Sequence, residues 1–342
     1  MKVREKGIIV GKLPTGRKNC ITDVSDVMVG HVSLDYPLNE SGDEYACTGV
    51  TAILPHKGNL FKEKVTAASY VINGFGKTTG LVQLNELGVI ESPIMLTNTF
   101  AVPAVTQGVL EYMLRENPEI GDTTGTINIV VGECNDSYLN SIRLFPVKPV
   151  HAIQAIQNAS DHQAEEGAVG AGKGMICFGY KGGIGTSSRM VEEYTIGCLA
   201  LSNFGKKEEL QRYRYAAGKG LSDTADGSII IVLATDAPLS DRQLQRLAKR
   251  CGIGLGRTGS HFSHGSGDIV IAFSTAHKIA HFSDEKIETR TQLREDHPMM
   301  NQMFTAAAEA AEEAILNSAS QAVTTIGRAG RVVHQINFLK EE

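Results

Sequence analysis

Short runs of β-branched and other apolar residues recur along the chain and constrain its fold more than any other feature. Several are apolar at every position, which is typical of strands covered on both faces. Apolar spacing predicts helices near 103–115 and over about 301–318. A further helix should begin at the N-cap Ser240 and end at Gly252. This alternation predicts a layered α/β sandwich with sheets inside and helices outside. The runs are TGVTAILP (48–55), TINIVVGE (126–133), GMICFGY (174–180), GSIIIVLAT (227–235) and GDIVIAFST (267–275).

Charge and composition exclude several classes of protein. The 342 residues carry a formal net charge of −5, spread without a basic patch, so nucleic acid is not an expected partner. No apolar run approaches the roughly 18 residues of a membrane helix, and the N-terminus lacks a signal-peptide pattern. We therefore expect a cytoplasmic protein that does not enter a membrane. The six cysteines are scattered without a C-x-x-C pair, which argues against zinc and thioredoxin-like sites. Most should be small buried hydrophobic residues.

The segment KKEELQRYRYAAGKGLSDTAD (206–226) is polar and charged, and it directly precedes the strongest predicted strand. An exposed excursion that leads into a buried strand is typical of a processing loop. It is equally the pattern of an ordinary long loop, and composition alone favours that simpler interpretation.

The Gly-Ser pair that follows this segment could undergo a specific reaction, cleavage of the peptide bond between its two residues. Gly227 has no Cβ, so its backbone can adopt conformations closed to other residues. The hydroxyl of Ser228 could attack the Gly227 carbonyl, and hydrolysis of the resulting ester would leave a new chain beginning at Ser228. Its α-amine, with a reference pKa of about 7.7–8, could serve as general base near neutral pH. Taken alone, however, Gly-Ser before a strand is the usual composition of a turn.

Eight sequence blocks together resemble the family of L-aminopeptidase/D-Ala-esterase-amidases and β-peptidyl aminopeptidases, over nearly the whole chain. The resemblance implies a single domain with a four-layer αββα sandwich, cut by the chain itself into 1–227 and 228–342, with Ser228 as nucleophile. The blocks are ITDVSDVMVGHV (21–32), TGVTAILP (48–55), NGFGKTTG (73–80), PIMLTNTFAV (93–102), GECNDSYLN (132–140), GAGKGMICFGYKGGIGTSSR (170–189), DGSIIIVLATDAP (226–238) and GSGDIVIAFST (265–275).

The same resemblance implies a function. Such enzymes release an N-terminal residue from short peptides, amides or esters that have a free amino group, without metal or organic cofactor. They usually assemble as homotetramers or larger homo-oligomers. Preference among α-L, α-D and β-amino substrates stays open, because the pocket is built from loops that the sequence does not position.

Four further residues match the family's site. Ser266 and Asp268 in GSGDI would hold and orient the new amine, Asn203 would donate its amide to an oxyanion, and Glu133 would bind the substrate ammonium. Asp268 is shorter than the glutamate of the β-aminopeptidase branch, which leaves open whether it reaches the same partners. Each residue also has a simpler interpretation. Ser266 and Asp268 could form a turn before the strand, Asn203 could be a turn asparagine, and Glu133 an exposed strand end.

Two other sequence blocks give less information about the site. KGGIGTSSR (181–189) lacks the spacing of a phosphate-binding loop and is expected to form a wall of the site without a catalytic role. In NGFGKTTG, Phe75 and Lys77 stand where the family commonly has smaller or acidic residues. The family therefore does not predict the pocket that binds the substrate side chain in this protein.

Two alternatives remain at the level of sequence. An acyltransferase of the ornithine acetyltransferase type has a related fold and self-cleavage, but those enzymes use threonine where this chain has Ser228. A non-catalytic, uncleaved member of the family would need none of the polar residues named above.

Overall fold

The computed structural model describes residues 1–210, 220–221 and 227–339. The described helices are α1 Leu81–Leu87, α2 Val102–Glu116, α3 Pro149–Gln157, α4 Asp241–Arg257 and α5 Met299–Ser320. The described strands are β1 Met28–Pro37, β2 Tyr45–Leu54, β3 Glu63–Gly74, β4 Val89–Ile90, β5 Ile94–Asn98, β6 Val130–Cys134, β7 Ile176–Cys177, β8 Tyr180–Lys181, β9 Gly183–Val191, β10 Tyr194–Asn203, β11 Ser228–Thr235, β12 Gly267–Ala280, β13 Thr325–Ile326 and β14 Val332–Val333.

Most of these strands form two large sheets that face each other. The smaller has the order β1-β2-β5-β6, and the larger has the order β4-β3-β12-β11-β10-β9. Helices α2 and α3 cover the outer face of the smaller sheet, and α4 and α5 cover that of the larger. The predicted four-layer αββα sandwich is therefore confirmed.

Strand β11 shows why its sequence is apolar at every position. Ile229 and Ile231 belong to the core between the larger sheet and its helices. Ile230 and Val232 point the other way, into the core between the two sheets. Because side chains alternate along a strand and both faces are covered, each position must be apolar.

The structure confirms some of the predicted strands and not others. Those at 48–55, 227–235 and 267–275 are confirmed by β2, β11 and β12, whereas the one at 126–133 is confirmed only from residue 130. The strand predicted at 174–180 is wrong, because Phe178 and Gly179 both have positive φ angles, of 53° and 72°. They turn the chain between the two-residue strands β7 and β8, which pair with each other.

The helices over 103–115 and 301–318 are confirmed by α2 and α5. The Ser240 hydroxyl caps α4 by accepting from the Gln243 N–H, as predicted. The predicted end at Gly252 is wrong, because α4 continues to Arg257. The reason is packing on α5: a Cβ at Gly254 would lie 2.3 Å from the Ala308 carbonyl oxygen, so glycine there permits a close helix contact.

A buried cluster of charges joins α5 to the start of the chain, and we call Arg189, Glu309, Glu313 and Arg4 the Arg189 cluster. Arg189 contacts Glu309 at 3.2 Å and Glu313 at 2.6 Å, with no exposed side-chain surface. Arg4 adds a second contact to Glu313 at 2.8 Å. The guanidinium of Arg189 also donates to the Val10 and Ser188 carbonyls, at 2.8 and 2.7 Å. Every charge in the cluster therefore has a partner.

Two further expectations concern the chain as a whole. All six cysteines are free and buried, which confirms that they are small core residues. Within the described ranges, no helix combines the length and the apolarity that crossing a bilayer requires. The excursion predicted at 206–226 lies mostly outside the described residues, since only 206–210 and 220–221 of it are described.

Candidate active site

Three strands of the larger sheet bring distant parts of the sequence to one edge. Ser228 is the first residue of β11 and lies opposite Asn203, the last residue of β10. On its other side, β12 begins at Gly267 and runs parallel, with Ile229 opposite Asp268. Because β11 and β12 begin where the antiparallel β10 ends, Ser228, Asn203 and Asp268 must meet.

The hydroxyl of Ser228 is held by the neighbouring strand. Its Oγ accepts a hydrogen bond of 3.1 Å from the Gly267 N–H, and the residue is only 8% exposed. The preceding Gly227 packs tightly against β10, where a Cβ would lie 1.8 Å from the Asn203 carbonyl oxygen. Any larger residue would therefore displace the Gly227–Ser228 peptide.

A serine and a carboxylate lie directly beside this hydroxyl. Ser266 Oγ donates to Asp268 Oδ1 at 2.6 Å, so the short aspartate does reach the second serine. The other carboxylate oxygen, Oδ2, is buried and lacks a hydrogen-bond partner among the described residues. Burial raises the pKa of Asp268 to about 6, against the opposing effect of the Ser266 hydrogen bond. The carboxylate can thus gain or lose a proton near neutral pH.

The amide of Asn203 is fixed at both ends. Its Nδ2 donates to the Asn135 carbonyl at 3.0 Å, and its Oδ1 accepts from the Ile176 N–H at 2.9 Å. The first bond uses one of the two Nδ2 hydrogens, which leaves the second as a donor with a defined direction. Asn203 ends a strand and is 7% exposed, so the turn-asparagine interpretation is wrong.

Glu133 lies in β6 of the facing sheet. It is 3% exposed, which excludes the interpretation as an exposed strand end. Its carboxylate accepts from the Lys77 N–H at 2.7 Å and from the Thr99 hydroxyl. In the described part of the chain, Glu133 forms no ion pair, although a buried carboxylate normally has a cationic partner. The arrangement can accept an ammonium group from a ligand.

The Phe75–Gly76 backbone connects the two halves of the site. A Cβ on Gly267, whose N–H meets Ser228, would lie 2.6 Å from the Phe75 carbonyl oxygen and 3.2 Å from Gly76 Cα. A Cβ on Gly76 would lie 3.5 Å from Glu133 Oε1. This short strip of backbone, which we call the glycine floor, therefore lies between the Ser228 hydroxyl and the Glu133 carboxylate.

Sequence reasoning missed two contributors. Thr99 holds the Glu133 carboxylate from 34 residues away, and no local pattern marks such a contact. The Gly267 donor is a main-chain N–H, which residue type cannot indicate. The segment 181–189, predicted to be a wall of the site without a catalytic role, lies mostly in β9, which is at the edge of the larger sheet.

Solved structures show the same architecture. The PH0078 protein from Pyrococcus horikoshii OT3 is 48% identical, with a TM-score of 0.88 over 98% of this chain and 96% of its own. The L-aminopeptidase D-Ala-esterase/amidase from Ochrobactrum anthropi is 33% identical, with a TM-score of 0.89 over 98% of this chain and 95% of its own. That enzyme is described as a prototype for the serine aminopeptidases and a new variant of the Ntn hydrolase fold. The fold and the site therefore define a hydrolase with this variant of the Ntn hydrolase fold.

Sequence comparison gives the family. Residues 19–333 match the model of peptidase family S58. The β-peptidyl aminopeptidase BapA of Sphingosinicella microcystinivorans is 39% identical, over 98% of this chain and 89% of its own. The chain belongs to peptidase family S58 and is an aminopeptidase. The resemblance inferred from the sequence blocks is therefore confirmed.

Proposed function

We propose that this aminopeptidase cuts its own backbone between Gly227 and Ser228 and then uses Ser228 as its nucleophile. The observation that carries the proposal is the position of Ser228. Its hydroxyl is held at the start of β11, between the Asn203 amide and the Ser266–Asp268 pair. A buried serine needs none of these neighbours in order to begin a strand.

The cleavage needs no outside reagent except water. Ser228 Oγ attacks the Gly227 carbonyl carbon, its proton passes to the departing nitrogen, and the C–N bond breaks. Water then hydrolyses the ester, which yields a carboxylate on Gly227 and a free α-amine on Ser228. The close packing of Gly227 against the Asn203 main chain supports this step, because a larger residue there would displace the peptide that Ser228 attacks.

Substrate hydrolysis follows the same geometry. The α-amine of Ser228, with a reference pKa of about 7.7–8, takes the hydroxyl proton as the oxygen attacks the substrate carbonyl. The free N–H of Asn203 donates to the oxyanion, a contribution of roughly 10²–10³ in rate. The Oδ2 of Asp268, which has no hydrogen-bond partner among the described residues, accepts from the ammonium of Ser228 and keeps it in place.

Glu133 explains why such an enzyme would remove single N-terminal residues. Its buried carboxylate binds the free ammonium of a short peptide, amide or ester, and the glycine floor sets the distance to Ser228. Relatives named β-peptidyl aminopeptidases support the inclusion of β-amino substrates beside α-amino ones.

The mass of the purified protein under denaturing conditions tests the proposal. Two species that match 1–227 and 228–342 would establish the junction. A single 342-residue species, stable on prolonged incubation, would refute self-cleavage. Amides with a free N-terminal amine should be cleaved and their N-acetylated forms refused, whereas equal rates for both would remove Glu133 from ammonium binding.

A further inference from the structure

Aromatic side chains stand unusually exposed around the Glu133 carboxylate. Phe75 is 54% exposed and directly precedes Gly76, which lies against Glu133. On the other side of the carboxylate, Thr99 donates to it and Phe100 follows, 48% exposed. Each ring thus belongs to a residue next to one that touches the carboxylate.

A third ring extends this surface. Phe145 is 56% exposed and stacks on Phe100, with 6.1 Å between ring centroids and 25° between planes. Contiguous exposed apolar groups beside polar anchors are characteristic of ligand-binding grooves.

The glycine floor is the backbone of Phe75 and Gly76, so it leads directly to the first of these rings. Gly76 has no side chain, and a Cβ there would lie 3.5 Å from both Glu133 Oε1 and Ile269 Cδ1, so a larger residue at this position would crowd the carboxylate. A ligand whose ammonium meets Glu133 and whose carbonyl meets Ser228 must carry its first side chain within a few bonds of the carboxylate. The exposed rings of Phe75 and Phe100, each one residue from a contact of Glu133, offer apolar surface to that side chain.

Charge narrows the choice of side chain. The ammonium of Lys77 lies 4.7 Å from the centre of the Phe75 ring. A basic side chain entering beside Phe75 would meet the like charge of Lys77, while the Glu133 carboxylate is occupied by the ligand's own ammonium. An uncharged apolar side chain meets neither difficulty.

We propose that the site selects substrates whose N-terminal residue carries a large apolar or aromatic side chain, bounded by Phe75 and Phe100. The inference rests on the proposed role of Glu133 and Ser228, and it deepens that role by naming the side chain that the acyl half accepts. Phe145 stacks on the Phe100 ring and holds it in position.

The test compares p-nitroanilides of alanine, leucine, phenylalanine and lysine, in the α-L series and in the corresponding β-homo series. Leucine or phenylalanine should exceed alanine in kcat/KM by about 10-fold or more, and lysine should fall below leucine. Phe75→Ala and Phe100→Ala should each lower kcat/KM for leucine and phenylalanine by about 10-fold and leave alanine nearly unchanged. Ile287→Ala, which removes an apolar side chain that is 83% exposed, is the matched control and should change nothing.

The outcomes separate the two proposals. If none of the anilides is cleaved, the proposed function itself fails. If alanine is cleaved as fast as leucine, or if the two variants lower all substrates alike, the function stands and the aromatic subsite is wrong. Light scattering on Phe75→Ala and Phe100→Ala adds a check: unchanged selectivity with a changed association state would assign the rings to a subunit interface instead.

Discussion

Two of the buried polar clusters among the described residues differ in how fully their charges are paired. In the Arg189 cluster, two arginines meet two glutamates, and the carboxylate of Glu309 also accepts from the N–H groups of Lys12 and Leu13. In the cluster at Ser228, the Asp268 carboxylate has one hydrogen bond from Ser266 and one buried oxygen without a partner among the described residues. One cluster is complete and the other is not.

The difference follows from what burial costs. A buried charge is tolerated when its hydrogen bonds and counter-charge are present, so a complete cluster contributes to holding its elements in place. A buried carboxylate with an open oxygen is destabilising by itself and persists where chemistry requires it. The contrast fits the proposed roles of the two clusters, structure for Arg189 and reaction for Asp268.

Ser228→Ala should have the largest effect. We expect the chain to stay in one piece and kcat to fall by roughly 10⁵-fold or more, as for removal of a catalytic serine elsewhere. Intact mass and an aminopeptidase assay would measure both. Ser202→Ala, on the adjacent strand with its buried hydroxyl unpartnered among the described residues, is the control and should be processed normally. Cleavage at 227/228 in Ser228→Ala would remove the serine from the mechanism.

Arg189→Met should unfold the protein more easily without altering the chemistry. It leaves Glu309 buried without a counter-charge, which should cost about 3–5 kcal/mol of unfolding free energy, measured by urea denaturation. Activity per folded molecule should persist. Arg290→Met, which breaks a surface pair with Glu288, should cost about 1 kcal/mol or less. Lost activity at unchanged stability would contradict the structural role of Arg189.

Asn203→Ala should act mainly on kcat. Loss of the oxyanion donor predicts a fall of about 10²–10³ with little change in KM, measured on the processed fraction. Stability should also drop, by about 1–3 kcal/mol, because the Ile176 N–H loses its acceptor. An unchanged kcat in correctly folded enzyme would exclude Asn203 from the oxyanion site.

The smallest effect expected is on pH dependence. Burial raises the pKa of Asp268 to about 6, so kcat/KM should fall about 10-fold for each pH unit below that value. Unfolding does not explain such a loss at this group: its raised pKa means that protonation favours the folded state as pH falls through about 6 toward the ordinary value.

A neighbouring carboxyl provides the control for that profile. Burial raises the pKa of Asp136 to about 7 as well, and its contacts match those of Asp268: Oδ1 accepts from Asn140, and Oδ2 lacks a hydrogen-bond partner among the described residues. Asp268→Asn should abolish the limb near pH 6, whereas Asp136→Asn should keep it. The reverse result would transfer the titration to Asp136.

The sequence predicts the parts of the fold that depend on burial alone. β11 is apolar throughout because both of its faces are covered, and such a run is recognisable without the structure. By contrast, β9 carries the buried Ser187, Ser188 and Arg189, which resemble a polar loop until their partners are known. α4 passes through Gly252 because α5 lies close to Gly254, a contact that no local pattern encodes.

The site divides in the same way. Ser228, Asn203 and Asp268 are predictable from the sequence blocks, and the strand pairing places them together. The open Oδ2 of Asp268, the Thr99 contact to Glu133 and the Gly267 donor depend on distances across the fold. Those contacts determine which oxygen and N–H groups are left without a partner. The sequence therefore predicts which residues form the site, whereas their hydrogen bonding follows from the packing of the fold.

The strand order of the larger sheet has a consequence for how the enzyme can be made. β11 and β12 lie between β3 and β10, so a cut at 227/228 would leave these two strands of the second piece enclosed by strands of the first. The pieces could then part only by unfolding. Once unfolded, they would have to find each other by diffusion, and refolding would become second order in concentration. Maturation would therefore be irreversible in practice. The uncut chain folds as one molecule, whereas the cut enzyme, once unfolded, would refold only when its two pieces meet.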